Sequence, residues 1–312
     1  MIQARGLTKR YGATVAVDGL SFDVLPGRVT GFLGPNGAGK STTLRMIIGL
    51  DTPTAGTVSI DGTPYGHHRL PLFDVGAMLE AKAIHPGRTA YNHLRCLAQT
   101  NGIGSRRVDE VLDLVGLSDV AHKRAGGFSL GMGQRLGIAT ALLGDPGVLV
   151  LDEPVNGLDP EGILWIRNLL RSLASEGRTV FVSSHLMSEM ALTAEHLIVI
   201  GRGRLIADTS VEEFIAASSH NYVRVRTPLR NRLAQLLQAE GASTDLEDDG
   251  GLAVTGTDAE TIGDLAAANG IALHELSLQN ASLEEAFMEL THDSVDFHVN
   301  VPDPHRTEAK VA

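Results

Sequence analysis

The sequence predicts an α/β fold with a parallel central sheet, followed by a smaller α+β unit. Short, unbroken apolar runs have the length of buried strands, and the stretches between them have helical periodicity. A composition break near Ser218 separates these residues from a second, shorter succession of strands and helices. We therefore expect domains at residues 1–218 and 219–292, with a polar, disordered tail at 293–312.

The chain begins with a predicted pair of strands in residues 1–28. Within it, Leu20–Leu25 alternates between apolar and polar residues, and Pro26 and Gly27 form a turn. This predicts an antiparallel β subdomain ahead of the central sheet. Tyr11 precedes that turn as an exposed aromatic residue that could stack on a base, although simple packing is the alternative.

Val29–Leu33 is an apolar run that predicts a buried strand, and a helical stretch follows from Thr42 to Gly49. The loop between them fits the pattern G-x-x-x-x-G-K-[ST] with Gly34, Pro35, Asn36, Gly37, Ala38, Gly39, Lys40 and Ser41. In this strand–loop–helix context, the backbone N–H groups of the glycines and of the helix N-terminus can surround a phosphate. Lys40 would reach the β- and γ-phosphates, and the Ser41 hydroxyl would ligate Mg²⁺.

The alternative is an ordinary glycine turn, but a chance match in a chain this long is on the order of 1 in 100. The sequence therefore predicts nucleotide binding by a phosphate-loop NTPase fold. Strands are then expected at 57–60 and 75–79. The periodicity becomes helical over about 89–127, which predicts a helical subdomain inserted between strands of the sheet.

A second strand of the parallel sheet is predicted at Val148–Leu151, and it ends in Asp152 and Glu153. Carboxylates at the C-terminal edge of a sheet can serve a metal-assisted phosphoryl transfer: Asp152 for Mg²⁺, and Glu153 to polarise the attacking water. His185 follows the next predicted strand, at 179–183, and could contact the γ-phosphate. Taken singly, each has a simpler explanation as a solvated strand end or a loop histidine.

The remaining elements complete the two domains. Helices are predicted from about 129 to 143 and from Asp159, an N-cap followed by proline, to Gly177. A hairpin joins 197–200 to 204–207. Beyond the break, the order β-α-β-β-α-β suggests a ferredoxin-like domain, with strands at 221–226, 243–247, 251–255 and 271–277 and helices at 229–240 and 258–269. A capping box at Ser282 predicts a last helix to about Leu290.

Composition excludes several classes of function. The 312 residues carry a formal net charge of −11, which argues against nucleic acid as a partner. Cys96 is the only cysteine, so an internal disulfide is impossible. No run of apolar residues approaches the roughly 18 needed to span a bilayer, and no signal peptide is expected.

Across residues 1–215, the sequence resembles the ATP-binding subunits of ABC transporters. Ser129–Arg135 (Ser-Leu-Gly-Met-Gly-Gln-Arg) is similar to their signature motif, and Leu149–Glu153 to their second nucleotide motif. Gly157–Asp159 matches the loop that touches the opposing subunit, His185 the switch histidine, and Tyr11 the residue that stacks on adenine.

The resemblance implies that two such domains sandwich two ATP molecules head to tail, with Mg²⁺. Ser129 and Gly131 would then stabilise the γ-phosphate bound by the partner, and Asp159 would lie in the dimer loop. With one phosphate loop, the chain requires a second copy or a paralogue. A separate transmembrane permease would hold the pair at the cytoplasmic face of the membrane.

Two departures from the family pattern stand out. Leu130 replaces the first glycine of the signature, and Met132 stands where the family has glutamine. Glu80 stands where the family usually has a glutamine that ligates Mg²⁺. That glutamate and the short C-terminal domain resemble exporters of the bacitracin- and lantibiotic-immunity type.

Two other functions remain as alternatives. A soluble ABC-type ATPase acting on DNA or ribosomes usually has paired nucleotide domains, coiled coils or zinc-binding cysteines, which this sequence lacks. A nucleotide-sensing regulator would bind ATP and barely hydrolyse it, but Lys40, Asp152 and Glu153 are all intact.

Overall fold

The computed structural model describes residues 1–80, 84–218, 221–247 and 249–291. The strands within these ranges are β1 (Ile2–Tyr11), β2 (Thr14–Val24), β3 (Val29–Leu33), β4 (Ala55–Ile60), β5 (Val75–Met78), β6 (Val148–Asp152), β7 (Thr179–Ser183), β8 (His196–Gly201), β9 (Arg204–Ser210), β10 (Tyr222–Arg226), β11 (Ser243–Leu246), β12 (Leu252–Thr255) and β13 (Glu275–Gln279). The helices are α1 (Lys40–Ile47), α2 (Pro71–Asp74), α3 (Ala90–Thr100), α4 (Ser105–Leu114), α5 (Leu130–Leu142), α6 (Pro160–Ser175), α7 (Met187–Thr193), α8 (Val211–Ala216), α9 (Arg230–Ala239), α10 (Ala259–Ala268) and α11 (Leu283–Thr291). The predicted tail, 293–312, lies outside the described residues.

The central sheet has six strands in the order β5-β6-β7-β3-β8-β9. All neighbours are parallel except β8 and β9, which form the predicted antiparallel hairpin. Every residue of β3 and β7 is buried, as expected for strands covered on both faces. The C-terminal ends of β3, β6 and β7 therefore meet at one edge, which is where the loops with polar residues begin.

A three-stranded antiparallel sheet, in the order β2-β1-β4, packs on the central sheet. Phe22 from β2 lies 6.0 Å from Phe32 and 5.7 Å from Phe181, measured between ring centroids. Rings at this separation gain a favourable tilted contact in addition to their burial. The predicted antiparallel subdomain is thus confirmed, with β4 as an additional strand.

The predicted helical subdomain corresponds to α3 and α4, which lie between β5 and α5 in the chain. Thr89 caps α3 by accepting a hydrogen bond from the backbone N–H of Asn92 at 3.1 Å. Leu94 and Val111 are fully buried in a core shared with α5 and the central sheet. The α/β fold class, with its inserted helices, is therefore confirmed.

The C-terminal unit contains a four-stranded antiparallel sheet in the order β11-β12-β10-β13, with a core of its own. The predicted β-α-β-β-α-β order is present, while the ferredoxin-like assignment stays a prediction. The last strand is present, but its predicted bounds, 271–277, were wrong: β13 begins at Glu275 and ends at Gln279. Ile271 instead lies in the turn that follows α10, where its N–H donates to the carbonyl of Ala266 at 2.9 Å and its side chain is buried in this core.

The last helix, α11, contributes no buried residue to the core of the C-terminal sheet described above. It packs against α7 and α8, and Leu283, Ala286 and Phe287 are buried in the same core as the central sheet. Glu289 of α11 also accepts a hydrogen bond from the Ser218 hydroxyl at 2.7 Å. A segment expected in the second domain thus completes the first.

Candidate functional site

The loop between β3 and α1 needs glycine at particular positions. Gly37 and Gly39 have φ values of +82° and +102°, which residues with a side chain rarely adopt. At Gly39, a Cβ would also lie only 2.5 Å from the carbonyl oxygen of Ala16. The backbone of the loop can therefore approach both its neighbours and a ligand closely.

Lys40, the first residue of α1, is 8% exposed. Its Nζ donates to the carbonyl of Gly34 at 2.5 Å and to that of Pro35 at 3.3 Å. Burial lowers the pKa of Lys40, and the carboxylates of Glu153 and Asp152 act in the opposite direction. The ammonium group is thus held inside the loop by its backbone, close to two carboxylates.

Asp152, at the end of β6, joins the loop to the neighbouring strand. Its Oδ2 accepts a hydrogen bond from the Ser41 hydroxyl at 2.8 Å, and its Oδ1 accepts one from the hydroxyl of Ser183. Ser183 is fully buried at the end of β7 and was not predicted as part of the site. Three oxygen-bearing side chains therefore converge at the edge of the sheet.

Glu153 and His185 form a pair beside Asp152. The Oε2 of Glu153 lies 2.7 Å from His185 Nδ1 and accepts the backbone N–H of His185 at 3.3 Å. Glu153 has a φ of +51°, an unusual value for a residue with a side chain. Its N–H donates to the Ser183 hydroxyl at 3.0 Å, which helps to hold that conformation.

These groups line one cavity of about 480 Å³. The predicted residues that line it are Pro35, Asn36, Gly37, Gly39, Lys40, Ser41, Thr42, Asp152, Glu153 and His185. Ala16 and Asn156 also line it and were missed. Asn156 lies only three residues after Glu153, and this short distance in the sequence could have been used to predict it as part of the site.

Tyr11 is not among the residues that line this cavity. It is 49% exposed, its hydroxyl donates to Asp51 at 2.9 Å, and Lys9 Nζ lies 5.1 Å from the centre of its ring. Partial desolvation raises the pKa of Tyr11, and the hydrogen bond to Asp51 raises it further. Stacking on adenine stays a prediction, for which an exposed ring is a necessary condition.

The signature segment lies at a separate cavity of about 490 Å³, lined in part by Phe128, Ser129 and Leu130. Ser129 caps α5 by accepting the N–H of Met132 at 3.2 Å. At Gly131, a Cβ would lie 3.0 Å from the carbonyl oxygen of Gly157. The structure therefore does not bring the signature to the phosphate loop of the same chain.

Glu80 and Asp159 also lie outside the first cavity. Glu80 lines a third one of about 700 Å³, which Ser41, Arg45 and Asp152 line as well. Asp159 caps α6 by accepting the N–H of Gly162 at 2.9 Å, as its sequence position predicted. Glu80 is thus near the predicted metal ligands, whereas Asp159 has a structural role within the chain.

Comparisons with known proteins found similarity in both parts of the chain. The family model "ABC transporter" matches residues 17–156, and a "domain of unknown function" matches 221–284. The bacitracin transport ATP-binding protein BcrA of Bacillus licheniformis is 37% identical over 297 residues, covering 93% of this chain and 97% of that protein. The lantibiotic transport ATP-binding protein SrtF of Streptococcus pyogenes is 35% identical over 208 residues, covering 67% and 90%.

A solved structure is similar as well: the dimeric ATP-binding cassette MJ0796 in a post-hydrolysis state, bound to ADP and Pi. It is 26% identical and has a TM-score of 0.63, with 68% of this chain and 99% of that chain covered. No helix in the described ranges has the length and apolar character needed to cross a membrane. With its phosphate loop, acidic strand end and signature in one fold, the chain belongs to the ATP-binding subunits of ABC transporters and is an ATPase of that family.

Proposed function

We propose that this chain is the ATP-hydrolysing subunit of an export complex. It works as a head-to-tail pair with a second copy or a paralogue and drives a separate transmembrane permease, which holds it at the cytoplasmic face of the membrane. The observation that carries this proposal is the convergence of Lys40, Ser41, Asp152, Glu153 and His185 on one cavity.

The phosphate loop binds the triphosphate of ATP. Gly37, Gly39 and Lys40 provide backbone N–H donors at the positive end of α1, and Thr42 extends that turn of the helix. Lys40 leaves its backbone carbonyl partners to contact the β- and γ-phosphates. Tyr11 stacks on the adenine from the edge of the antiparallel sheet.

Magnesium fits the oxygen atoms present. The Ser41 hydroxyl and the Asp152 carboxylate lie 2.8 Å apart, and hydroxyl and carboxylate oxygens are the hard ligands that Mg²⁺ prefers. Glu80, which shares a cavity with both, is the third candidate ligand. When bound, the ion would offset the negative charge of the phosphates.

Glu153 acts as the general base. Its carboxylate takes a proton from the attacking water while the new bond from water oxygen to γ-phosphorus forms and the bond to the bridging oxygen of ADP breaks. His185 orients that carboxylate through the 2.7 Å contact and also contacts the γ-phosphate.

The dimer is supported by the separation of the two motifs. Ser129 lies at a cavity other than that of Lys40, and Gly131 does not line the cavity of Lys40, which supports a role for both at the nucleotide of a partner. The N-terminal end of α5 would then stabilise the γ-phosphate charge across the interface. Asp159, at the start of α6, lies in the loop that faces the partner.

The export role is supported by the relatives named for bacitracin and lantibiotic transport, the first of which matches both domains. In such a complex the permease, a separate chain, selects the molecule that is moved. To test this role, the chain is purified with the membrane protein that it binds, and ATP-dependent transport is measured after both are reconstituted in vesicles. Failure of the chain to bind any membrane protein would contradict the export role.

Replacing Glu153 by glutamine tests the mechanism directly. Loss of a general base removes about 10²–10⁴-fold of the rate, while the contacts that bind ATP stay. We therefore expect Glu153→Gln to bind ATP, to hydrolyse it that much more slowly and to accumulate as a closed dimer, measured by light scattering. A variant that turns over at the wild-type rate would contradict the assignment, and one that stays monomeric where the wild type dimerises would contradict the sandwich.

A further inference from the structure

Gln134 is a buried polar residue that the mechanism above does not use. It lies in the second turn of α5 and is 3% exposed. Its Nε2 donates a hydrogen bond of 2.8 Å to the backbone carbonyl of Glu153. A buried amide with this partner connects the signature helix to the residue that carries the proposed general base.

The backbone of Glu153 is held from both sides. Its N–H donates to the hydroxyl of Ser183 at 3.0 Å, and its carbonyl accepts from Gln134 at 2.8 Å. This matters because a φ of +51° is unfavourable for a residue with a side chain and must be held by its surroundings. The direction of the carboxylate follows from that backbone conformation.

The hydrogen bond between Gln134 and Glu153 joins the helix α5 to the short loop that follows β6. Gln134 is five residues after Ser129, which places it about 7 Å along the helix axis from the N-terminal end of α5. That first turn also contacts the loop after Glu153, since a Cβ on Gly131 would lie 3.0 Å from the carbonyl oxygen of Gly157. A displacement of α5 would therefore reach Glu153 directly.

We propose that Gln134 is a positioning residue for ATP hydrolysis: its amide holds the backbone of Glu153 so that the carboxylate faces the attacking water. It thereby makes the alignment of the base depend on the position of the signature helix. The inference rests on the proposed role of Glu153 as general base. Gln134 itself touches neither nucleotide nor water in this role.

The test compares Gln134→Met, which keeps the length of the side chain and loses the donor, with the wild type. One lost positioning hydrogen bond is expected to lower kcat about 10-fold and to leave the affinity for ATP within about twofold. Thr291→Val is the matched control, because the Thr291 hydroxyl is also buried and donates to the backbone carbonyl of Phe287 at 2.7 Å on α11, away from Glu153. It is expected to leave kcat within about twofold.

A double-mutant cycle separates positioning from a general structural effect. In the Glu153→Gln background the base is already absent, so adding Gln134→Met should change the residual turnover by less than about twofold. The same 10-fold loss in both backgrounds would overturn the proposal. Wild-type kcat in Gln134→Met, or a loss of ATP affinity as large as the loss of kcat, would overturn it as well.

The cycle also distinguishes this inference from the function on which it rests. If Glu153→Gln alone keeps the wild-type rate, the general-base assignment is wrong. If Glu153→Gln is slow and Gln134→Met is not, only the positioning role is wrong. Should Gln134→Met fail to fold, Gln134→Leu removes the donor with an apolar side chain that favours helix, and the same loss of kcat is expected.

Discussion

Replacing Phe287 by alanine tests the finding that α11 completes the core of the ATP-binding domain. Phe287 is 7% exposed and shares that core with Met190 and Phe214 from α7 and α8. Removing a buried phenylalanine side chain loses both its transfer free energy and the contacts around the cavity left behind. The expected loss in the free energy of unfolding is about 3–5 kcal/mol.

The assay uses the single tryptophan of the chain as a reporter of the ATP-binding domain. Trp165 lies on α6, and the guanidinium carbon of Arg135 on α5 is 4.7 Å from the centre of its ring. Urea unfolding followed by tryptophan fluorescence therefore measures the stability of that domain. A loss of about 3 kcal/mol corresponds to a fall in Tm on the order of 6–12 °C for a domain of this size.

Met288→Ala is the matched control, since Met288 is the next residue and is 66% exposed. It is expected to change the free energy of unfolding by less than about 0.5 kcal/mol. If Phe287→Ala left the Trp165 transition as unchanged as Met288→Ala does, α11 would not stabilise this domain. The packing argument would then be refuted.

Three further predictions concern the site and the domain boundary. Lys40→Ala is expected to abolish ATPase activity, because it removes the charge that contacts the β- and γ-phosphates; near-normal phosphate release would contradict the site assignment. Without Mg²⁺, Glu80→Gln is expected to bind ATP better than the wild type, because the substitution removes a negative charge near the phosphates. At saturating Mg²⁺ the two proteins should bind ATP equally well, because the metal offsets that charge. If titrations of ATP show the same dependence on Mg²⁺ in both proteins, Glu80 is not a metal ligand. Deleting residues 220–312 is expected to leave the affinity for ATP unchanged. It should lower the urea concentration at the midpoint of the Trp165 fluorescence transition, because the deletion also removes α11. Weaker ATP binding by the folded truncation would show that the C-terminal unit contributes to the site.

The residues that line the nucleotide cavity could be predicted because their positions depend on local sequence. Lys40, Asp152 and His185 each follow a short apolar strand, and parallel strands end at the same edge of a sheet. The order of strands, loops and helices in the sequence was therefore enough to predict that these three residues lie close together. The same local logic located Asp159 as a cap, from the proline that follows it.

Contacts between distant segments could not be predicted in this way. Ser183 was assigned only as the last residue of a strand, and its bond to Asp152 depends on β6 and β7 being neighbours. Gln134 lies between Gly133 and Arg135 in α5, and the sequence does not indicate which backbone carbonyl its side chain meets. The helix at 283–291 was found from its capping box, but its partners α7 and α8 lie about 70 residues or more away.

Leu130, which replaces the first glycine of the signature, is explained by a contact with a distant segment of the chain. Its side chain lies against Gly157, where an added Cβ would be 2.2 Å from Leu130 Cδ2. Gly157 also has a φ of +74°, so both space and backbone conformation require glycine there. The leucine therefore occupies room that the absent side chain of Gly157 leaves, and the first turn of α5 stays in contact with the loop that follows Glu153. Leu130 contacts Gly157 and Gln134 donates to Glu153, so both residues of α5 hold the segment 153–157. Leucine in place of the first signature glycine is therefore compatible with the observed arrangement of Asp152 and Glu153.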